Sequence, residues 1–327
     1  MSNYETRILL EDEYDLWDEL VDNSMQSSIF HKAIWIATSA KLLNRKFLIF
    51  GNFENDNLIG GCHIFLNRLH SYRSATSNLL LSPYGGFLLR QDKEKKAFSI
   101  CQSISNKFIE YNLSYINIIN SPFFQDVRPF TWNGWIPNIF YTYMMPLEGS
   151  IEPMGSKNSR WRIRKARKEG IKCKIAYDFD LFWDLTLDTY RKQETTPPFT
   201  RDYLSGMMDM IIENKLGEMH IAETSSGEPA AAEFITWDQH MAHHWSAASN
   251  SKFKQTGAPS LLQFEIWEKL QQRGFKKANI MMGNIKNFTE FISAFNPLLV
   301  PYFGVTKISR EYQLLSKASE LWHAFTP

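Results

Sequence analysis

Cysteine is scarce in this chain: three in 327 residues, Cys62, Cys101 and Cys173, odd in number and far apart. That spacing excludes a disulfide framework and a paired-cysteine metal site, and it points to a reducing compartment. Excess charge of one sign is also missing. Lys and Arg number 36 against 35 Asp and Glu, a formal net charge of +1, so no global field steers the protein toward nucleic acid or membrane. Any polyanion has to be held by a local patch. No run approaches the ~20 apolar residues of a membrane span, and the opening stretch MSNYETRILLEDEYD is acidic, without the apolar segment of a signal peptide. A metal-ligand cluster, a Ser-His-Asp signature and a glycine-rich dinucleotide fingerprint are absent too. These absences lead to the expectation of a cytoplasmic protein with no bound metal and no DNA partner.

What is abundant is apolar and aromatic. Hydrophobic residues make up 44 %, and there are 24 Phe, 13 Tyr and 10 Trp, which suits either an aromatic core or deep grooves gripping a flexible ligand. The length suggests two domains. In the second half, alternation marks a strand at 170–177, and helical spacing follows at 180–192 and 201–215. Thr200 is placed to cap the latter, and Pro197-Pro198 breaks the two apart. A hairpin at 218–224 and 229–237, a third strand at 241–249 and a loop at 250–258 lead into a helix at 259–273, with Pro at its start and Gly274 past its end. A strand (278–282), a helix (287–295) and a strand (298–308) complete the set.

The first half repeats much of this order: strand 6–10, helices 13–21 and 31–43, hairpin 47–53 and 58–66, strand 74–81, helix 92–111, strand 115–120, a short irregular piece, and strand 140–147. Between the halves, 151–169 reads as a solvent-facing helix capped by Ser156 or Asn158. The expected division is therefore 1–150, a basic linker helix at 151–169, and 170–327, in an α/β (α+β) fold with mixed sheets.

This order, with a loop entering a helix after the fourth strand, resembles the GNAT acyltransferase fold. Two such units joined by a basic helix are similar to the Fem-type (FemABX) aminoacyl transferases. The resemblance spans nearly the whole chain, through FHKAIWIATSAK, NSRWRIRKARKEGI, LTLDTYRKQETTPPF, the run from GEPAAAEFITW to LQQRGF, and GNIKNFTEFISAFNPLLVPYFGV, in fixed order. It departs from the family pattern at Gly283-Asn284, where a glycine pair is usual. It departs again at Phe291-Ile292, where a Phe-Lys pair is common and the lysine assists transfer in some Fem enzymes.

Several residues are candidates for chemistry. The loop Lys252-Phe-Lys-Gln-Thr-Gly257-Ala-Pro-Ser260 precedes a helix, whose free N–H groups attract phosphate; in GNAT enzymes the matching loop holds the coenzyme A pyrophosphate. Here Pro259 removes one donor. The basic segment puts Arg160, Arg164, Arg167 and Lys168 on one helical face, either a phosphate clamp or a solvated surface. On the third strand of the hairpin set, His243 and Trp245 point one way, His244 and Ser246 the other. His244 is a candidate base, or else a packed histidine. Glu233 on the neighbouring strand is the alternative base. Tyr190 and Arg191 match a Tyr-Arg pair of the Fem-like pattern, and Tyr84 is expected to line a groove between the two halves. Trp245, Lys252 and Asn284 complete the expected binding set.

The resemblance implies a transferase moving an aminoacyl or acyl group onto an amine or hydroxyl of a cell-envelope peptide or glycan, or a natural-product precursor, and the expected place of transfer is a groove near the domain interface. A charged tRNA is the donor it brings forward, ahead of acetyl-coenzyme A. The alternatives are a coenzyme A-dependent N-acetyltransferase and a non-catalytic precursor-binding module.

Overall fold

The computed structural model describes residues 4–69, 72–149, 151 and 155–309. The chain divides into two compact units, Met1–Phe140 with Pro301–Pro327, and Tyr141–Val300. Strands and helices are numbered below in chain order.

The first unit runs β1 (Tyr4–Ile8), α1 (Tyr14–Asp22), α2 (Ala33–Leu42), β2 (Lys46–Glu54), β3 (Asn57–Leu69), β4 (Tyr72–Thr76), β5 (Gly86–Leu89), α3 (Ala97–Glu110), β6 (Tyr115–Ile119) and α4 (Arg128–Thr131). β1 to β4 are antiparallel neighbours, and β6 joins parallel to β4. α1 buries Trp17, Leu20 and Val21 at helical spacing. The sequence reading did not anticipate β5. It has four residues, all buried, so it shows no alternation.

From β7 (Ile136–Pro146) the chain passes into the second unit, with α5 (Lys157–Lys168), β8 (Lys172–Ile175), α6 (Phe179–Arg191), α7 (Arg201–Glu213), β9 (Gly217–Glu223), β10 (Pro229–Trp237), β11 (Ala242–Ser249), α8 (Ala258–Gln272), β12 (Lys277–Met281), α9 (Lys286–Ser293) and β13 (Leu298–Ile308). The caps are local and were readable. Ser156, not Asn158, accepts the Ser159 N–H at 3.2 Å, and Thr200 accepts that of Tyr203.

Two strands fall where a reading along the chain does not put them. Tyr143–Pro146 of β7 pairs with β12 in the second unit, and Gly304–Ile308 of β13 pairs with β6 in the first. α5 also counts with the second unit. The division at 150 and 170 thus differs from the compact units, because strand partners are chosen by open ladder edges in space, which alternation does not encode. Residues 152–154 and 310–327 of the expected domains lie outside the described residues. The aromatic excess goes largely to core: Trp17, Trp35, Trp245 and Trp267 are among the largest fully buried side chains.

Candidate functional site

The second unit holds a cleft of about 430 Å³. Its position follows from two irregularities of β11. The register against β10 slips between Phe234, opposite Ser246, and Ile235, opposite His244, a bulge that bends the strand. β11 then pairs parallel with β12 only at Ala242↔Ala278 and His243↔Asn279, so its C-terminal half has no ladder on that side. Ala247, Ala248 and Ser249 from this half line the cleft, with Ala231 and Ala232 of β10. The four alanines leave space where larger side chains would fill it. Phe288 and Phe291 of α9 add an aromatic wall, and Arg162, Lys192 and Lys254 supply positive charge.

Glu233 is the one carboxylate among the described lining residues, and it is 5 % exposed. A buried carboxylate needs partners, and His244 supplies one at 2.6 Å from its Nδ1 to Glu233 Oε1. Trp267 donates its indole N–H to His244 Nε2 at 3.0 Å. An indole can only donate, so Nε2 is the unprotonated nitrogen and Nδ1 carries the hydrogen given to Glu233. The Gln263 amide lies 2.8 Å from the same Nδ1. The ring is thus held on both nitrogens, and Glu233 Oε2 has no hydrogen bond among the described residues.

His243, on the other face, bonds through Nε2 to Asp238 at 3.0 Å. Burial pushes the Asp238 carboxyl up, but the His243 bond and the N–H groups of His240 and Met241 outweigh it and hold the group below the usual range.

The loop before α8 does not form the phosphate cradle that its place suggests. Ser251–Thr256 winds into a 3₁₀ turn, and Lys165 Nζ donates to the Gln255 carbonyl at 2.6 Å. Of the first-turn amides, Ala258 N–H goes to Thr256 Oγ1, Pro259 has none, and Ser260 N–H goes to the Gly257 carbonyl. Gly257, at φ +82°, sits against the Arg162 backbone, where an added Cβ would stand 2.4 Å from the carbonyl oxygen. The glycine serves packing of the loop onto α5, and these residues do not fit a coenzyme A pyrophosphate.

The expected site residues scatter. Glu233 lines the cleft. His244 lies behind it with both nitrogens taken, so it is not placed to receive a substrate proton. Trp245 is buried against Phe234, with ring centroids 5.7 Å apart. Tyr84, in the first unit, is 1 % exposed, with its ring packed against those of Phe30 and Tyr302. On α5 it is Arg162 that faces the cleft; Arg160 and Arg164 lie on another face, and Arg167 sits over the Phe264 ring. At the end of α6, Thr189, Lys192 and Gln193 line the cleft instead of Tyr190, which packs on Phe199, and Arg191, which lies 3.5 Å from Asp188. Lys252 pairs with Glu228, while Lys254 reaches the cleft. The Asn284 side chain accepts the Tyr141 N–H at 2.8 Å, a structural bond.

Arg162, Lys192 and Gln263 were missed because the helical faces were chosen by charge density. The signal available was the buried trio Ser159, Ile163 and Ala166, which turns Arg162 inward. No group of three metal-ligating side chains occurs among the described residues, and no helix among them is long and apolar enough to cross a membrane.

Fold and cleft together define an α/β protein whose second unit carries the candidate site. Residues 156–288 match the family model described as an acetyltransferase (GNAT) domain, beginning at the N-cap of α5. No curated protein matches the chain in sequence. Among solved structures, FemX superposes with a TM-score of 0.77 at 10 % identity, over 95 % of this chain and 99 % of that one. The C-terminal domain of a putative lysylphosphatidylglycerol synthetase from Agrobacterium fabrum gives 0.61 at 12 %, over 95 % and 96 %. A tandem GNAT protein from the clavulanic acid biosynthesis pathway gives 0.58 at 11 %, over 93 % and 98 %. The chain has the Fem-like tandem GNAT fold.

Proposed function

We propose that the protein transfers an aminoacyl or acyl group to an amine or hydroxyl, with Glu233 as the general base. The observation that carries this is the buried Glu233 carboxylate at a cationic cleft, with Oε1 tied to His244 and no hydrogen bond to Oε2 among the described residues. The acceptor nitrogen attacks the acyl carbonyl, its proton passes to Oε2, and the donor ester bond breaks with the proton returned to the leaving oxygen. Proximity and orientation in the cleft supply much of the rate, and no covalent enzyme intermediate is needed. Arg162, Lys192 and Lys254 balance an anionic donor or acceptor. A charged tRNA suits this cleft better than acetyl-coenzyme A, whose pyrophosphate finds its loop amides already bonded. The resemblance to the Fem-type transferases supports a cell-envelope peptide or glycan precursor as acceptor, and the neighbour from the clavulanic acid biosynthesis pathway a natural-product precursor. The scarcity of cysteine supports a reducing, cytoplasmic setting for the reaction.

A non-catalytic precursor-binding module is the second reading. It is favoured by Ile292, 3 % exposed in the core where the Fem pattern has a lysine. The two divide in one assay series with charged tRNA and, separately, acetyl-coenzyme A across amine acceptors. Transfer from charged tRNA, lowered about 10²–10⁴-fold in Glu233→Gln, supports the proposal. Transfer undiminished in that folded variant removes Glu233 as base, and turnover with neither donor favours the binding module.

A further inference from the structure

The first unit contains a separate pocket of about 450 Å³, built from the α2–β2 connection, the β3–β4 hairpin and the chain after α3. Arg45, Lys46 and Arg73 line it together with Asn44 and Asn67, and no carboxylate is among its described lining residues. Several other cations of this unit sit against acids: Arg7 with Glu13, Lys32 with Asp22, Lys93 and Lys96 with Glu54, Arg128 with Asp126. At this pocket Lys46 and Arg73 have no acidic partner among the described residues. Arg45 is held by a neutral one, donating to Asn67 Oδ1 at 2.6 Å. That bond orients a guanidinium without cancelling its charge. Between the cations the lining is apolar and aromatic, with Leu66, Leu113 and the Tyr111 ring, which stands edge-on to Phe50 at 5.5 Å.

Cations brought together without a counter-charge repel one another, and an anion relieves that repulsion while gaining charge-assisted hydrogen bonds. An apolar floor beneath them adds burial of a hydrophobic or planar part. We infer that this pocket binds a phosphorylated ligand with an apolar or planar portion, in the first unit and independent of the transfer cleft. Two sources share that chemistry: a soluble phosphorylated compound and an anionic lipid headgroup.

The full chain is titrated calorimetrically at low salt with inorganic pyrophosphate and with ADP, and sedimented with vesicles of phosphatidylglycerol or of phosphatidylcholine. ADP binding at least about tenfold tighter than pyrophosphate, weakened about tenfold or more by Arg73→Glu and by Arg45→Glu but retained in Arg162→Gln, supports a soluble ligand. Sedimentation with phosphatidylglycerol and not phosphatidylcholine, lost in the same two variants, supports a lipid headgroup. Both substitutions are at exposed positions, and an unchanged melting temperature shows that loss of binding is not loss of fold; Arg73→Gln, keeping a polar side chain of reduced charge, gives an intermediate effect. Equal binding of any probe to wild type and both charge-reversal variants, or no binding of any probe, overturns the inference.

Discussion

Trp267 donates its indole N–H to His244 Nε2 at 3.0 Å, and that bond determines what the histidine can do. It fixes the tautomer that gives Nδ1–H to Glu233. Trp267→Phe removes the donor and leaves a buried acceptor unpaired, which costs about 1–3 kcal/mol. Urea unfolding is expected to show that loss. The transfer rate is expected to fall as well, because the ring is no longer held in the tautomer that gives Nδ1–H to Glu233. A rate identical to wild type would remove His244 as the group that positions Glu233.

Gly257 and Gly227 both have a left-handed φ, +82° and +83°, but only Gly257 is crowded. Gly227→Ala meets open space and is expected to cost about 1 kcal/mol from conformation alone. Gly257→Ala adds contact with the Arg162 carbonyl and an overpacking cost of about 1–3 kcal/mol. Melting temperatures of the two variants measure the difference directly. Equal losses would mean that the loop does not bear on α5.

Arg162→Gln and Lys254→Gln are each expected to raise KM for the anionic substrate about tenfold, with kcat little changed, since a charged hydrogen bond is worth about 1.5–3 kcal/mol. Arg160→Gln and Arg164→Gln, on another face of α5, are expected to leave KM within a factor of two or so, the small effect of exposed charges. Steady-state kinetics on the four variants separates the structural assignment from one based on charge density. The reverse ranking would restore the expected phosphate face.

His63 is fully buried, with its ring centroid 5.7 Å from that of His31. Burial, and then the neighbouring imidazole, hold its pKa well below the ordinary histidine value of 6.5. The folded state therefore keeps His63 neutral, while the unfolded chain takes up a proton as pH falls through about 6.5. Stability is full above that pH and declines below it, by up to about 1.4 kcal/mol per pH unit from this group. Urea midpoints between pH 7.5 and 5 are expected to fall, with a shallower slope in His63→Gln. A slope unaltered by the substitution would assign the acid sensitivity to other groups.

Local features of this protein were legible in the sequence. The hairpin of β9 and β10, the Thr200 and Ser156 caps and the break at Pro197-Pro198 depend on residues a few positions apart, and the repeated order of elements carried the tandem fold. The site was only partly legible. Glu233 could be named as a candidate, since a carboxylate among alanines on a strand is conspicuous. Its rank over His244 could not, because that depends on Trp267, 23 residues further along on another element.

The linear order thus determined which segments become strands and helices, through periodicity and capping that act within a few residues. Tertiary structure alone decided that β13 completes the first unit's sheet and β7 the second's, that Arg162 and not Arg160 faces the cleft, and that Gly257 packs on a backbone instead of cradling phosphate. Those outcomes rest on which ladder edges remain open and which helix face is buried. Such choices are made by contacts between distant residues, and no local pattern records them.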